Sequence, residues 1–366
     1  MKHNKRIIIF LLIIIMNNLL FSHYSMVISE EKDKTIVSLN EPIITDHTIV
    51  NIVRLNQIPE EAINTSKENL HIAYQHTSHG SQIITGMSGL PEFLEGKGAP
   101  EGLYAWNDGP QEGSLDVDDY FSSGDLGNPD RTTWETRTRT YLDDPANNDV
   151  NVVMWSWCGQ VSSATEEDIE TYLSLMSGLE EDYPAIAFIY MTGHVDGTGL
   201  EGNLHLRNEQ IRNYCLINNK ILFDFADIES YNPDGDYFGD KYVTDNCDYD
   251  SNGDGDPSND GANWATEWQT ANPGEWYECS SAHSQPLNAN MKAYAAWWLF
   301  AKIAGWENET STPPSTPPTS PTPSDTSSTI PTGNGGLIGG IIGLVITSLT
   351  GMTIIILIER RKKYLK

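Results

Sequence analysis

Three short runs of this chain are apolar nearly throughout: VNVVMWSW (150–157), AIAFIYM (185–191) and KILFDFADI (220–228). A strand with one wet face alternates apolar and polar residues, whereas a strand apolar on both sides must be covered on both. Amphipathic helical patterns separate these runs, in EEDIETYLSLMSGL and NEQIRNYCLINN. PLNANMKAYAAWWLFAKIAG closes the pattern as a helix, with Pro286 in its first turn and Gly305 as its C-terminal cap. Upstream, IPEEAINTSKEN reads as a short helix, LHIAYQ as a strand and TTWETRTRTYL as a helix near 132–142. Residues 86–130, rich in Gly, Pro and Asp, read as loop-dominated. Strands alternating with helices predict an α/β fold with a mainly parallel sheet and helices on both faces.

The ends of the chain predict a different environment from its middle. Lys2, Lys5 and Arg6 precede the apolar run Ile7–Met16, the pattern of a signal peptide, taken as residues 1–28. Residues 336–358 carry no charge and are long enough to span a bilayer, and Glu359 with RRKKYLK follows as a basic cytoplasmic tail at 359–366. The Ser/Thr/Pro-rich stretch 307–335 reads as a stalk. The expected organisation is therefore one extracellular domain over 29–306, anchored in the cell membrane by a C-terminal transmembrane helix. Asn64 and Asn308 lie in N-glycosylation acceptor patterns.

The formal charge of −29, from 22 basic and 51 acidic residues, excludes nucleic acid as a partner. Four cysteines in an exported domain read as two disulfides, expected as Cys247–Cys279 and Cys158–Cys215.

In open α/β sheets, sites form beyond the carboxyl ends of the strands. Those ends carry His76-Thr77-Ser78-His79-Gly80-Ser81, Cys158-Gly159-Gln160, Thr192-Gly193-His194-Val195-Asp196 and Asp227. His283 stands just before the last helix. A serine hydroxyl needs a base to become nucleophilic, and histidine is the usual one. Ser78 as nucleophile with His283 as base satisfies this, with Ser81 in reserve. Gly159 supplies an oxyanion amide.

The segment HTSHGSQ, the pair WCGQ and the run LFDFADIES resemble the SGNH (GDSL-like) hydrolases over roughly 55–306. That resemblance implies a flavodoxin-like three-layer α/β/α domain and an esterase acting on acyl groups, with acylated carbohydrate as the substrate class. Ser78 would be the nucleophile, Gly159 the oxyanion glycine and His283 the base. Ser280 stands where the family has its Asp, and Gly193-His194-Val195-Asp196 lacks the family's asparagine. The acid would then come from Asp196 or Asp227, and His194 would replace the asparagine as a donor. No catalytic cofactor is implied.

Two other readings remain open. His76, His79 and His194, with Asp196, could hold a metal for hydrolysis, and a silent cell-surface binding module would show the same departures from the family pattern. Separately, DYDSNGDGDPSND predicts a structural calcium site at Asp248, Asp250, Asn252, Asp254 and Asp256, with Gly253 at the turn.

Overall fold

A computed structural model describes residues 41–307. The segments read as signal peptide, transmembrane helix and basic tail, the stalk beyond residue 307, and Asn308 lie outside the described residues. Among the described residues no helix is long and apolar enough to cross a membrane.

The strands are β1 (Ile43–Thr45), β2 (His71–Gln75), β3 (Trp106–Asn107), β4 (Leu115–Asp119), β5 (Val152–Trp155), β6 (Ala187–Met191) and β7 (Ile221–Phe223). They form one sheet in the order β1-β7-β6-β5-β2-β4-β3, and every pairing is parallel. Position in the sheet follows sequence. VVMW of β5 and AFIYM of β6 are buried at every residue, while β4 (LDVDD) alternates and the edge strand β3 is half-exposed.

The helices are α1 (Ile52–Leu55), α2 (Glu60–Asn69), α3 (Ser81–Glu95), α4 (Thr133–Leu142), α5 (Glu166–Asp182), α6 (Asn203–Ile217), α7 (Phe225–Glu229), α8 (Trp264–Ala271) and α9 (Pro286–Ile303). They pack in two groups, α1, α2, α3, α7 and α8 against α9, and α4, α5 and α6 in series, so the sheet is the middle of three layers. A Thr165–Asp168 capping box starts α5. The closing helix α9 is buried almost all round, including Trp297 and Phe300. It lies so close to α3 that a Cβ on Gly86 would meet the Ala289 carbonyl oxygen at 2.1 Å. Truncating a fully buried residue such as Trp297 to Ala would cost about 3–5 kcal/mol.

Residues 86–130 are loop-dominated as expected, though α3 runs across Pro91 to Glu95 and β3 and β4 lie further on. One expectation is corrected. No disulfide forms, for all four cysteines are free thiols. Their neighbours explain it. Cys215 is buried in α6, the Cys247 thiol faces Ser284 Oγ at 3.5 Å, and the Cys279 thiol faces the Pro286 carbonyl at 3.7 Å. Cys158 meets a histidine.

Candidate catalytic site

The chain leaves β2 towards β4 on one side and enters β5, β6 and β7 on the other. The strand order therefore reverses between β2 and β5, where their carboxyl ends leave a crevice. His76–Gly80 follows β2 and Cys158 follows β5, so both segments enter that crevice. The approach is tight: a Cβ on Gly80 would meet Ser156 Oγ at 2.2 Å and His76 Cβ at 2.5 Å. A polar network ties the two segments together. The Cys158 amide donates to Gln160 Oε1 at 3.0 Å, while Gln160 Nε2 and Thr77 Oγ1 both donate to Asp125 Oδ2 at 3.1 Å.

His79 joins three elements. Its Nδ1 lies 3.3 Å from the Cys158 sulfur and its Nε2 lies 3.0 Å from Asp245 Oδ2, in the loop after α7. Cys158 is half-buried, and the His79 side chain is only 7% exposed. The hydrogen bond from His79 pulls the Cys158 thiol down to about 6; burial opposes this, and hydrogen bonds from Ser78 and Thr77 assist. Burial disfavours a charged His79, but hydrogen bonds to Asp245 and Cys158 outweigh it and raise the imidazole to about 9. Burial also works against an ionised Asp245, yet the hydrogen bond from His79 holds its carboxyl below the usual range. At neutral pH the three groups form a thiolate, an imidazolium and a carboxylate in line. A thiolate is the nucleophilic form of cysteine.

Two further imidazoles flank this line. The His194 ring stacks on His79 with centroids 3.7 Å apart and planes within 1°, and the His283 ring stacks on His79 at 4.4 Å and 14°. His194 Nδ1 lies 2.7 Å from the Val195 carbonyl, which can only accept, so Nδ1 carries the proton. Its Nε2 is buried without a partner, and burial depresses its basicity. In the neutral ring that nitrogen is an acceptor rather than an oxyanion donor.

A buried ion pair supports these loops from below. Lys292 of α9 and Glu229 of α7 are both fully buried, with Nζ to Oε1 at 2.6 Å. Lys292 also donates to Gln82 Oε1. Glu229 Oε2 accepts the Val195 amide at 2.9 Å, and Gln82 Nε2 donates to the Ala282 carbonyl at 2.6 Å. The segments carrying His79, His194 and His283 are thus tied to one pair.

The other residues singled out from the sequence fall in varied places. Ser78 Oγ lies 3.5 Å from the Cys158 sulfur, and the ring beside His283 is His79, not the Ser78 hydroxyl. Gly159 opens a 3-10 turn directly after Cys158, and Ser81 Oγ donates to the Ser78 carbonyl at 2.6 Å. Asp196 accepts from the Thr198 hydroxyl, Asp227 binds His47 and His76 binds Asp119. In the acidic loop, Asp250 accepts the Asn252, Gly253 and Gly255 amides. Asp248 accepts from Asn246 and Asn263, Asp254 from Asn252, and Asp256 from Ser258.

Among the described residues, three groups bring His or acidic ligand atoms within 4.8 Å: Asp46, His47 and Asp227; His71, Asp116 and Asp118; and His79, His194 and Asp245. The last does not fit a metal. An ion must lie near the plane of each ligating ring, whereas the His79 and His194 rings stack face to face with centroids 3.7 Å apart, and both His79 nitrogens already face Cys158 and Asp245. A cavity of about 420 Å³ lies beside the site, lined by Val195, Asp196, Arg212 and Tyr231 but not by Cys158 or His79.

No family model, curated protein or solved structure matches this chain.

Proposed function

We propose that this protein is an acyl hydrolase with a cysteine nucleophile, acting through Cys158, His79 and Asp245. The observation that carries the reading is His79 bridging sulfur and carboxylate by its two ring nitrogens. The Cys158 thiolate attacks the carbonyl carbon and forms a tetrahedral intermediate. Protonated His79 then gives its proton to the departing alkoxide, leaving a thioester. The now neutral His79 takes a proton from water, whose oxygen attacks that thioester; the C–S bond breaks, the acid leaves and the Cys158 thiolate and His79 imidazolium are restored. Asp245 keeps the imidazole oriented and stabilises its charged form. The Ser78 hydroxyl and the Gly159 amide are the donors offered to the oxyanion.

The segment β4-β2-β5-β6-β7 has the flavodoxin-like order of the SGNH hydrolases. In this reading their early serine survives as a donor, and the nucleophile has moved from the end of β2 to the end of β5. An extracellular, membrane-anchored esterase acting on acylated carbohydrate remains the proposed setting and substrate class.

The test is turnover of p-nitrophenyl acetate and labelling by iodoacetamide and a fluorophosphonate, in the ectodomain, Cys158→Ala and Ser78→Ala. Turnover and iodoacetamide labelling lost in Cys158→Ala, with partial activity in Ser78→Ala, supports the cysteine reading. Fluorophosphonate labelling that depends on Ser78 and ignores Cys158 returns the serine enzyme. Turnover abolished by EDTA returns the metal enzyme.

A further inference from the structure

Three parallel imidazoles in face-to-face contact are not explained by a triad alone. We infer that the stacked rings of His194 and His283 act as a clamp on His79, positioning it and stabilising its imidazolium form. The inference rests on the cysteine reading above and assigns those two residues a role as positioning groups.

The geometry carries it in three ways. First, ring faces attract a cation, whereas a stack of charged imidazoles repels, so the arrangement suits one charged ring between two neutral ones. His194 meets this condition, since burial and the charge of His79 both depress its basicity. Second, its Nδ1–H is held by the Val195 carbonyl, which fixes the ring plane, and Val195 itself is held by Glu229. Third, His283 adopts φ +63°, a left-handed conformation that side-chain-bearing residues seldom take and that persists only where surrounding contacts impose it. Those contacts lie on both sides. The Ala282 carbonyl accepts from Gln82, and the Ser284 hydroxyl accepts from Asn288 at 2.8 Å. The strained backbone sets an otherwise exposed imidazole flat over His79.

The groups facing His79 are Cys158 and Ser78 after β5 and β2, Asp245 in its loop, His194 after β6, Glu229 on α7 and His283 before α9. Asp245, Glu229 and the thiolate are the charges that favour the imidazolium. The two rings add their faces to these charges.

The test reads the pH profile of iodoacetamide alkylation at Cys158 in the ectodomain, with Cys158→Ser as the blank. His283→Ala, at an exposed position, removes one face. The apparent pKa of the thiol rises by roughly half a unit to one unit, and alkylation near pH 6 slows several-fold. His283→Trp supplies another aromatic face and restores the wild-type profile. His194→Ala gives the same upward shift, with thermal melting as the folding control. A His283→Ala profile that coincides with wild type overturns the clamp. So does a His283→Trp profile as displaced as that of Ala. A wild-type Cys158 that titrates at about 8.5, like a free thiol, instead overturns the thiolate–imidazolium reading beneath it.

Discussion

His79 Nδ1 lies 3.3 Å from the Cys158 sulfur across 79 positions of sequence. The contact exists because β2 and β5 are paired neighbours, with Gln75 in register with Trp155, so the residues just beyond each strand end meet over the same crevice. A cysteine placed there is not left as a passive thiol.

Removing any member of the line separates nucleophile from base. Cys158→Ala should abolish turnover, and His79→Asn should lower kcat by about 10²–10⁴-fold, the usual worth of a positioned acid–base. Asp245→Asn should retain more activity than either, because the imidazole still reaches the sulfur. Steady-state rates on p-nitrophenyl acetate give the ranking. An unimpaired His79→Asn refutes the assignment.

Activity should follow a bell in pH. As pH falls through about 6 the Cys158 thiolate is protonated, and as pH rises through about 9 the His79 imidazolium loses its proton. Both limbs belong to the coupled pair rather than to either residue alone. Asp245 raises His79, so Asp245→Asn should move the alkaline limb to lower pH. A limb that stays in place would show that Asp245 does not face the working imidazole.

The Lys292–Glu229 pair should be costly to break. Glu229→Gln leaves the fully buried ammonium without its counter-charge, and losses of about 3–5 kcal/mol follow from unpairing a buried ion. Activity should fall as well, since Glu229 also holds the Val195 amide beside His194. Glu229→Gln combined with Lys292→Met should recover much of the lost stability. Denaturant melts of the three variants measure the coupling, and strictly additive losses would rule it out.

The acidic loop still carries the calcium proposal. Calcium bound only by the folded state would stabilise it by about 2.7 kcal/mol at a hundredfold excess over Kd. Melting temperature should rise with added calcium and fall with EGTA, and Asp250→Ala should remove the response. A melt indifferent to calcium would leave the loop as a turn ordered by its own amides.

Much of the scaffold is legible in the order of residues alone, because fully buried strands leave unbroken apolar runs, as in β5 and β6. The short β4 is not legible. Its Leu115 and Val117 alternate with acids, and the segment reads as loop until β2 pairs with it. Pro91 hides α3 in a similar way, because a proline weighs against a helix unless tertiary packing overrides it. Within the site, the strand-end rule finds HTSHG and WCGQ and pairs Ser78 with His283, whereas the ring stacked on His283 is that of His79. Cys158 reads as half of a disulfide because the cysteine count is even and the expected compartment oxidising, while the signal for the proposed nucleophile is its place just beyond the buried strand β5. Asp245 has no sequence signal at all, since it arrives from a long irregular loop. Its role is visible only from the 3.0 Å contact.

The groups that acidify Cys158 are Thr77, Ser78 and His79 beyond β2, and Asp245 holds His79 from a loop much further along the chain. The acidity of the sulfur is therefore borrowed from segments that meet only when β2 and β5 have paired and that loop is in place. An unfolded chain carries an ordinary thiol that is mostly protonated at neutral pH. On the cysteine reading the nucleophile is therefore latent in the unfolded chain, and its reactivity would serve as a direct report of the folded state.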